Sequence, residues 1–333
     1  MALFDTELNL KLRPMHYPIY YSLYKAAIKN TWTVEEIDFT KDIEDLRKKL
    51  SPSEKHLVSR LIAFFATGDN IVQENLVLNL FKHLNVPEIK LYLGRQIFEE
   101  SLHIDFYTTL IDNYLPDMRE REEAFDAVKN IPSIKKKADF SFKWMNFMNE
   151  VKEIKTHEDR QTALLNIIAF AACNEGIFFF GAFAYVYFLR SKGLLNGLAT
   201  GTNWVFRDES LHITFGYELI KAIREEYPKT WDAKLEKKVV EMMKEAVACE
   251  LAFADDILSK GVTGFPLDDM QEYLQYTADR RVELLGMEPI YGSKNPLKFL
   301  ELQDIQELTN FFERNVSAYQ LGVTGDVSFS EEF

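Results

Sequence analysis

EESLHIDFY, residues 99–107, and RDESLH, residues 207–212, share the tetrapeptide Glu-Ser-Leu-His. Each copy falls in a stretch of helical periodicity, and each follows an acid, Glu99 or Asp208. A spacing of three puts the glutamate and the histidine on one helical face, one turn apart, so a carboxylate oxygen and an imidazole nitrogen can bind the same ion. One such match is weak, because Glu-rich surface helices produce it by chance; two in one helical chain are a different matter.

A four-helix dinuclear carboxylate site takes Glu-x-x-His from two helices and one more carboxylate from each of two others, all projecting inward. Two further apolar helical stretches each contain a suitable acid. Asp69 follows LIAFFATG (61–68), and Glu175 interrupts IIAFAACNEGIFFFGAFAYVYF (167–188). The expected ligands are therefore Asp69, Glu100, His103, Glu175, Glu209 and His212. Four buried carboxylates repel one another and are costly to desolvate, but two divalent cations balance them formally to zero. Oxygen donors with one nitrogen per ion suit iron or manganese, whereas structural zinc prefers thiolate-rich or closed tetrahedral sets. Tyr107 lies one turn beyond His103 on the same face, where a phenol would stand beside the ions or simply fill the core.

The rest of the chain fits an all-α protein. Its 333 residues are 47% hydrophobic and 14% aromatic, enough for a substantial core. Strand-like alternation is scarce, and helical stretches run between start and stop signals. Ser51-Pro52-Ser53-Glu54 is a capping box that opens a helix to about residue 84, and a second helix runs to about 113. A charged, helical excursion over 117–152 precedes another capping box, Thr156-His157-Glu158-Asp159, which starts the helix carrying Glu175 and ending near Gly193. Further helices are expected from near Thr202 to before Pro228, over 231–259 and over 266–284. Residues 318–333, AYQLGVTGDVSFSEEF, lose this periodicity and read as a flexible tail or a partner-binding peptide.

The net charge of −13 argues against a nucleic-acid surface, and Lys135-Lys136-Lys137 reads as a solvated loop. Cys173 and Cys249 lack CxxC spacing, and the first 14 residues lack a basic start and an apolar run, so a reducing cytoplasm is expected. The stretch around Glu175 is long enough to span a bilayer, but a central carboxylate with no second span to pair it makes a core helix the better reading.

Together these segments resemble the small, radical-generating subunit of class I ribonucleotide reductase. The resemblance covers nearly the whole chain from about residue 11, through WTVEEID (32–38), GDNIVQENL (68–76), EESLHIDFY, the Glu175 helix and RDESLH. It implies a ferritin-like helical bundle with additional helices over 1–315 and a flexible C-terminal tail over 316–333. It assigns one metal to Asp69, Glu100 and His103 and the other to Glu175, Glu209 and His212, with bridging glutamates and either two iron or two manganese ions. Reaction with O2 would oxidise Tyr107 to a stored radical, shielded by Phe179, Phe183 and Val205. On periodicity alone those three are ordinary core residues, and Trp32 is a buried anchor.

The resemblance further places Trp32 and Asp208 in a radical-transfer relay linked to the metal through His103. Tyr319, with Glu313 before it, would pass the oxidising equivalent to the large catalytic subunit, which the terminal DVSFSEEF would dock. A homodimer and an activating flavoprotein also follow from the resemblance, whereas nucleic acid and membrane are not expected partners. Asp69 in place of Glu, and Tyr107 in place of Phe, favour the tyrosyl-radical type over the heterodinuclear manganese and iron type. No P-loop or G-x-G-x-x-G is present, so ribose reduction would take place on the partner. The competing readings are another ferritin-like di-iron oxidase, which has no use for the tail, and iron storage, which needs a cage.

Overall fold

The computed structural model describes residues 2–7 and 9–301. The tail calls, Glu313, Tyr319 and the docking peptide, lie outside the described residues. Among the described residues every regular element is a helix, with no strand.

Both predicted capping boxes form. Glu54 N donates to Ser51 Oγ at 3.3 Å and Ser51 N to Glu54 Oε2 at 2.8 Å, starting α3 (Pro52–Asn75) with Pro52 in its first turn. Asp159 N donates to Thr156 Oγ1 at 3.1 Å and Thr156 N to Asp159 Oδ2 at 2.7 Å, starting α8 (His157–Ile168). Two short N-terminal helices that the sequence reading did not identify, α1 (Pro18–Lys29) and α2 (Thr40–Lys48), precede them. After α3 come α4 (Pro87–Tyr114) and, in the charged excursion, α5 (Met118–Phe125), α6 (Ala127–Asn130) and α7 (Pro132–Met145).

The Glu175 helix is one continuous rod from His157 to Ser191, exposed at its two ends and buried along its apolar stretch, although by length and composition it could cross a membrane. Its middle, Ala169–Phe179, is wound as a π-helix between α8 and α9 (Phe180–Ser191). Such segments are costly and concentrate at functional sites. Arg281 Nε donates to Gly176 O at 2.9 Å, and a Cβ at Gly176 would stand 2.9 Å from the same nitrogen. Glycine at 176 thus lets a buried guanidinium anchor the rewound turn.

Helix α10 (Asn196–Glu226) starts six residues before the expected Thr202. Its cap comes from another part of the chain. Gly197 N donates to Asp42 Oδ1 at 3.0 Å and Leu198 N to Asp42 Oδ2 at 2.8 Å, so α2 supplies the acceptors that the local sequence lacks. α11 (Ala233–Leu258) and α12 (Leu267–Leu284) complete the body and lie close to their expected bounds. α3, α4, the π-helical rod and α10 surround the interior, and each contributes ligand candidates to it.

Candidate dinuclear metal centre

The six expected ligands meet in the interior. Asp69 from α3, Glu100 and His103 from α4 and Glu209 from α10 present one donor atom each within 4.8 Å of one another, and Glu100, Glu175 and His212 form a second such group. All six side chains are buried.

Glu100 and Glu209 each face both imidazoles. Glu209 Oε1 is 3.3 Å from His103 Nδ1 and its Oε2 is 3.4 Å from His212 Nδ1. Glu100 Oε1 is 3.2 Å from His212 Nδ1 and its Oε2 is 3.9 Å from His103 Nδ1. Asp69 and Glu175 are the outer acids, with Asp69 Oδ2 3.5 Å from His103 Nδ1 and Glu175 Oε1 3.7 Å from His212 Nδ1. The resemblance groups Glu209 with Glu175 and His212; here its nearest donor group is that of Asp69 and His103, as expected of a carboxylate able to bridge.

The opposite imidazole nitrogens are tied by the acids that precede each repeat, and the ties cross. His103 Nε2 is 3.3 Å from Asp208 Oδ2, and His212 Nε2 is 3.0 Å from Glu99 Oε2. An acid at Nε2 holds the proton there and leaves the Nδ1 lone pair facing inward, the tautomer a metal requires. Arg95 Nε fixes Glu99 in turn at 3.0 Å, and Gln96 Nε2 orients Glu175 through Oε1 at 3.0 Å. Sequence reasoning missed the roles of Arg95, Gln96 and Glu99. Arg95 and Glu99 at i, i+4 inside an apolar helix, along with the Glu99–Asp208 correspondence between repeats, were the available signals.

The residues fit two cations. Both Asp69 oxygens, Glu100 Oε1, Glu175 Oε2, Glu209 Oε2 and both Nδ1 atoms are buried without a hydrogen-bond partner among the described residues, a concentration that proteins do not leave uncompensated. Burial raises the Asp69, Glu100 and Glu175 carboxyls above their ordinary range, and repulsion from neighbouring carboxylates, chiefly Glu209 for the two glutamates and Glu100 for Asp69, adds to it. Burial opposes ionisation of Glu209 too, but His212 and His103 outweigh it and hold that carboxyl at about 2. Burial likewise disfavours charged His103 and His212, yet the surrounding carboxylates raise both. These are the electrostatics of a site that exchanges protons for divalent ions.

Tyr107 is 1% exposed, and its hydroxyl has no hydrogen-bond partner among the described residues. Burial pushes its pKa well above the ordinary phenol value, with Asp69 the largest charge influence. Phe65 lies parallel to its ring at 4.7 Å between centroids and 6° between planes. Phe179 and Phe183 pack on Phe65, each at 6.1 Å. Phe65, which sequence reasoning did not single out, therefore stacks directly on the phenol, and its signal was only its place on the Asp69 face of α3, four residues earlier. Val205 is fully buried on α10. Trp32, 3% exposed, donates from Nε1 to Asp208 Oδ2 at 2.8 Å, the oxygen that also faces His103.

The family model for the small chain of ribonucleotide reductase matches residues 9–296. The chain belongs to that family. It is 35% identical over 309 residues to the ribonucleoside-diphosphate reductase small subunit of Dictyostelium discoideum, covering 92% of this chain and 85% of that one. It is 36% identical over 307 residues to a ribonucleoside-diphosphate reductase small chain of Arabidopsis thaliana, covering 92% and 86%. Among solved structures, the Rnr4 homodimer of Saccharomyces cerevisiae matches with a TM-score of 0.77 and 28% identity over 96% of this chain and 92% of that one. The R2 subunit of Clostridium botulinum, at 22% identity and a TM-score of 0.82 over 90% and 93%, shares the fold. The fold is the ferritin-like helical bundle of the small subunits, and the function is that of a small subunit of ribonucleoside-diphosphate reductase, an oxidoreductase that works with a large subunit.

Proposed function

We propose that Asp69, Glu100, His103, Glu175, Glu209 and His212 hold two iron or manganese ions and that Tyr107 stores a neutral radical, which Trp32 and Asp208 relay toward the large subunit. When bound, the two ions supply the oxidising power drawn from O2. Asp69 and Glu175 close the outer ends, Glu100 and Glu209 span the two halves, and Glu99 and Asp208 keep each Nδ1 free for coordination.

Tyr107 gives up an electron together with its hydroxyl proton, so the stored species is uncharged in an apolar box where a charge would be costly. Phe65, Phe179 and Phe183 exclude water and external reductants from the ring, and Val205, buried on α10, is assigned to the same apolar shield in this reading. Asp208 then couples inside to outside. Its Oδ2 accepts the Trp32 Nε1 proton while contacting His103 Nε2, and that shared oxygen is the observation that carries the relay reading.

Residues 1–315 form the radical-generating unit in this reading, and 316–333 carry Tyr319 and the docking peptide for the large subunit. Homodimerisation, the state of the Rnr4 relative, completes the assembly, and an activating flavoprotein is a further partner in this reading. Two buried, unpaired cysteines support a reducing, cytoplasmic setting. The test is reconstitution of the full-length, metal-loaded protein with a large subunit. Nucleotide reduction should require both proteins and should disappear in Trp32→Phe and on removal of 316–333. Undiminished turnover in Trp32→Phe would contradict the relay.

A further inference from the structure

Trp32 packs against both a metal-site imidazole and a second indole. His103 lies stacked at 6.2 Å between centroids with 22° between planes, and Trp204 lies at 5.3 Å, tilted by 49°. Trp204 precedes Asp208 by one turn of α10, so one helical face presents the carboxylate that binds the Trp32 N–H and the indole that packs on the Trp32 ring. Exposure rises outward along this series: His103 is 0% and Trp32 3% exposed, and Trp204 is only partly buried against the core. The remaining aromatic neighbour of Trp32, Phe106, meets it edge-on at 6.0 Å, and a phenyl ring is far harder to oxidise than an indole.

A buried Trp32 leaves the relay short of the surface. We propose that Trp204 is the outlet of the radical relay, an indole that exchanges an electron with Trp32 and carries the oxidising equivalent to the surface facing the large subunit. This rests on the reading of Trp32 as a relay residue. In the step, one electron passes from the Trp204 ring to the oxidised Trp32 ring. Trp32 regains its closed-shell form with Nε1–H still on Asp208, and Trp204 becomes an indole radical cation. No proton moves, and partial exposure lets water solvate the cation. A tyrosine phenol, the group placed above at Tyr319, then returns an electron to Trp204 and sheds its proton to water.

A packing role makes a different prediction, because phenylalanine and tyrosine fill the Trp204 site about equally while only tyrosine is readily oxidised. The full-length metal-loaded protein and its Trp204→Phe, Trp204→Tyr and Trp32→Phe variants are compared with the large subunit and substrate. A second reading is taken without the large subunit: the rate at which reduced methyl viologen, too bulky to enter the core, quenches the Tyr107 resonance signal. Trp204→Phe should keep its metal and radical content yet lose at least tenfold in nucleotide reduction and slow the quenching, and Trp204→Tyr should recover most of both. Wild-type rates in Trp204→Phe, or equal losses in Phe and Tyr, would overturn the outlet while leaving Trp32 in place. Wild-type turnover in Trp32→Phe would instead remove the relay on which it rests.

Discussion

Glu99 Oε2 lies 3.0 Å from His212 Nε2, so the acid before one Glu-Ser-Leu-His repeat serves the histidine of the other. Asp208 makes the matching contact to His103 at 3.3 Å. The two repeats are thus interlocked rather than independent metal half-sites. Glu99→Gln keeps the shape but changes the proton preference at His212 Nε2. Loss of such an outer partner typically weakens metal affinity about 10–100-fold. Competition with a chelator of known affinity should show that loss in Glu99→Gln, whereas Glu120→Gln, on the exposed face of α5, should bind metal like the wild type.

Metal removal should reverse the pH dependence of stability. In the metal-free protein the Asp69, Glu100 and Glu175 carboxyls titrate above their ordinary range. The folded chain therefore keeps protons that the unfolded chain releases above about pH 4, and stability falls as pH rises through the raised values. His103 and His212, also raised, contribute in the same direction: their stabilisation is present below about pH 6.5 and lost as pH rises through the folded values. Glu209, held at about 2, acts oppositely, its contribution being complete above the ordinary glutamate value and unchanged at neutral pH. Thermal midpoints measured with chelator should fall from mildly acidic to alkaline pH, and loading with Mn2+ or Fe2+ should flatten or invert that trend.

Lys137 is a buried cation away from the candidate metal centre. Its Nζ is 2.6 Å from Glu250 Oε2 and 3.3 Å from the centroid of the Phe64 ring, and Gly181 leaves room for the carboxylate, since a Cβ there would stand 2.7 Å from Glu250 Oε1. The sequence reading placed Lys137 in a solvated loop, but it is 2% exposed on α7. Three consecutive lysines give no hint that a helix turns one of them inward while Lys135 pairs with Asp139 on the surface. Lys137→Met strands Glu250 and should cost about 3–5 kcal/mol in denaturant unfolding, most of it recovered in the double variant with Glu250→Gln.

The cap on α10 yields a local prediction. Asp42→Ala removes the acceptor of Gly197 N and Leu198 N, and of the Tyr114 hydroxyl as well. It should destabilise by about 1–2 kcal/mol and speed amide exchange in the first turn of α10 before the rest of the helix. The same contact explains why the start of α10 was not legible. A helix capped by its own Ser or Thr, as α3 and α8 are, announces itself locally; one capped by an aspartate 155 residues earlier does not.

The clustering of the candidate ligands was legible for a related reason. Glu-x-x-His spacing and a lone carboxylate in an apolar run are local patterns, and helical geometry alone converts them into inward-facing donors. What remained hidden depends on contacts between helices: the crossing of Glu99 and Asp208, the π winding of Ala169–Phe179 anchored by Arg281, and the stacking of Phe65 on Tyr107. No periodicity distinguishes Phe65 from Phe64 beside it, and only the packed interior shows which ring covers the phenol.

The most direct test of the account is electron paramagnetic resonance on the full-length protein loaded with iron, or with manganese and an activating flavoprotein, and exposed to O2. The account predicts a tyrosyl radical signal that vanishes in Tyr107→Phe while two metal ions per subunit remain bound. A signal that persists in Tyr107→Phe, or a fully loaded and oxygen-exposed wild type that never shows one, would contradict it.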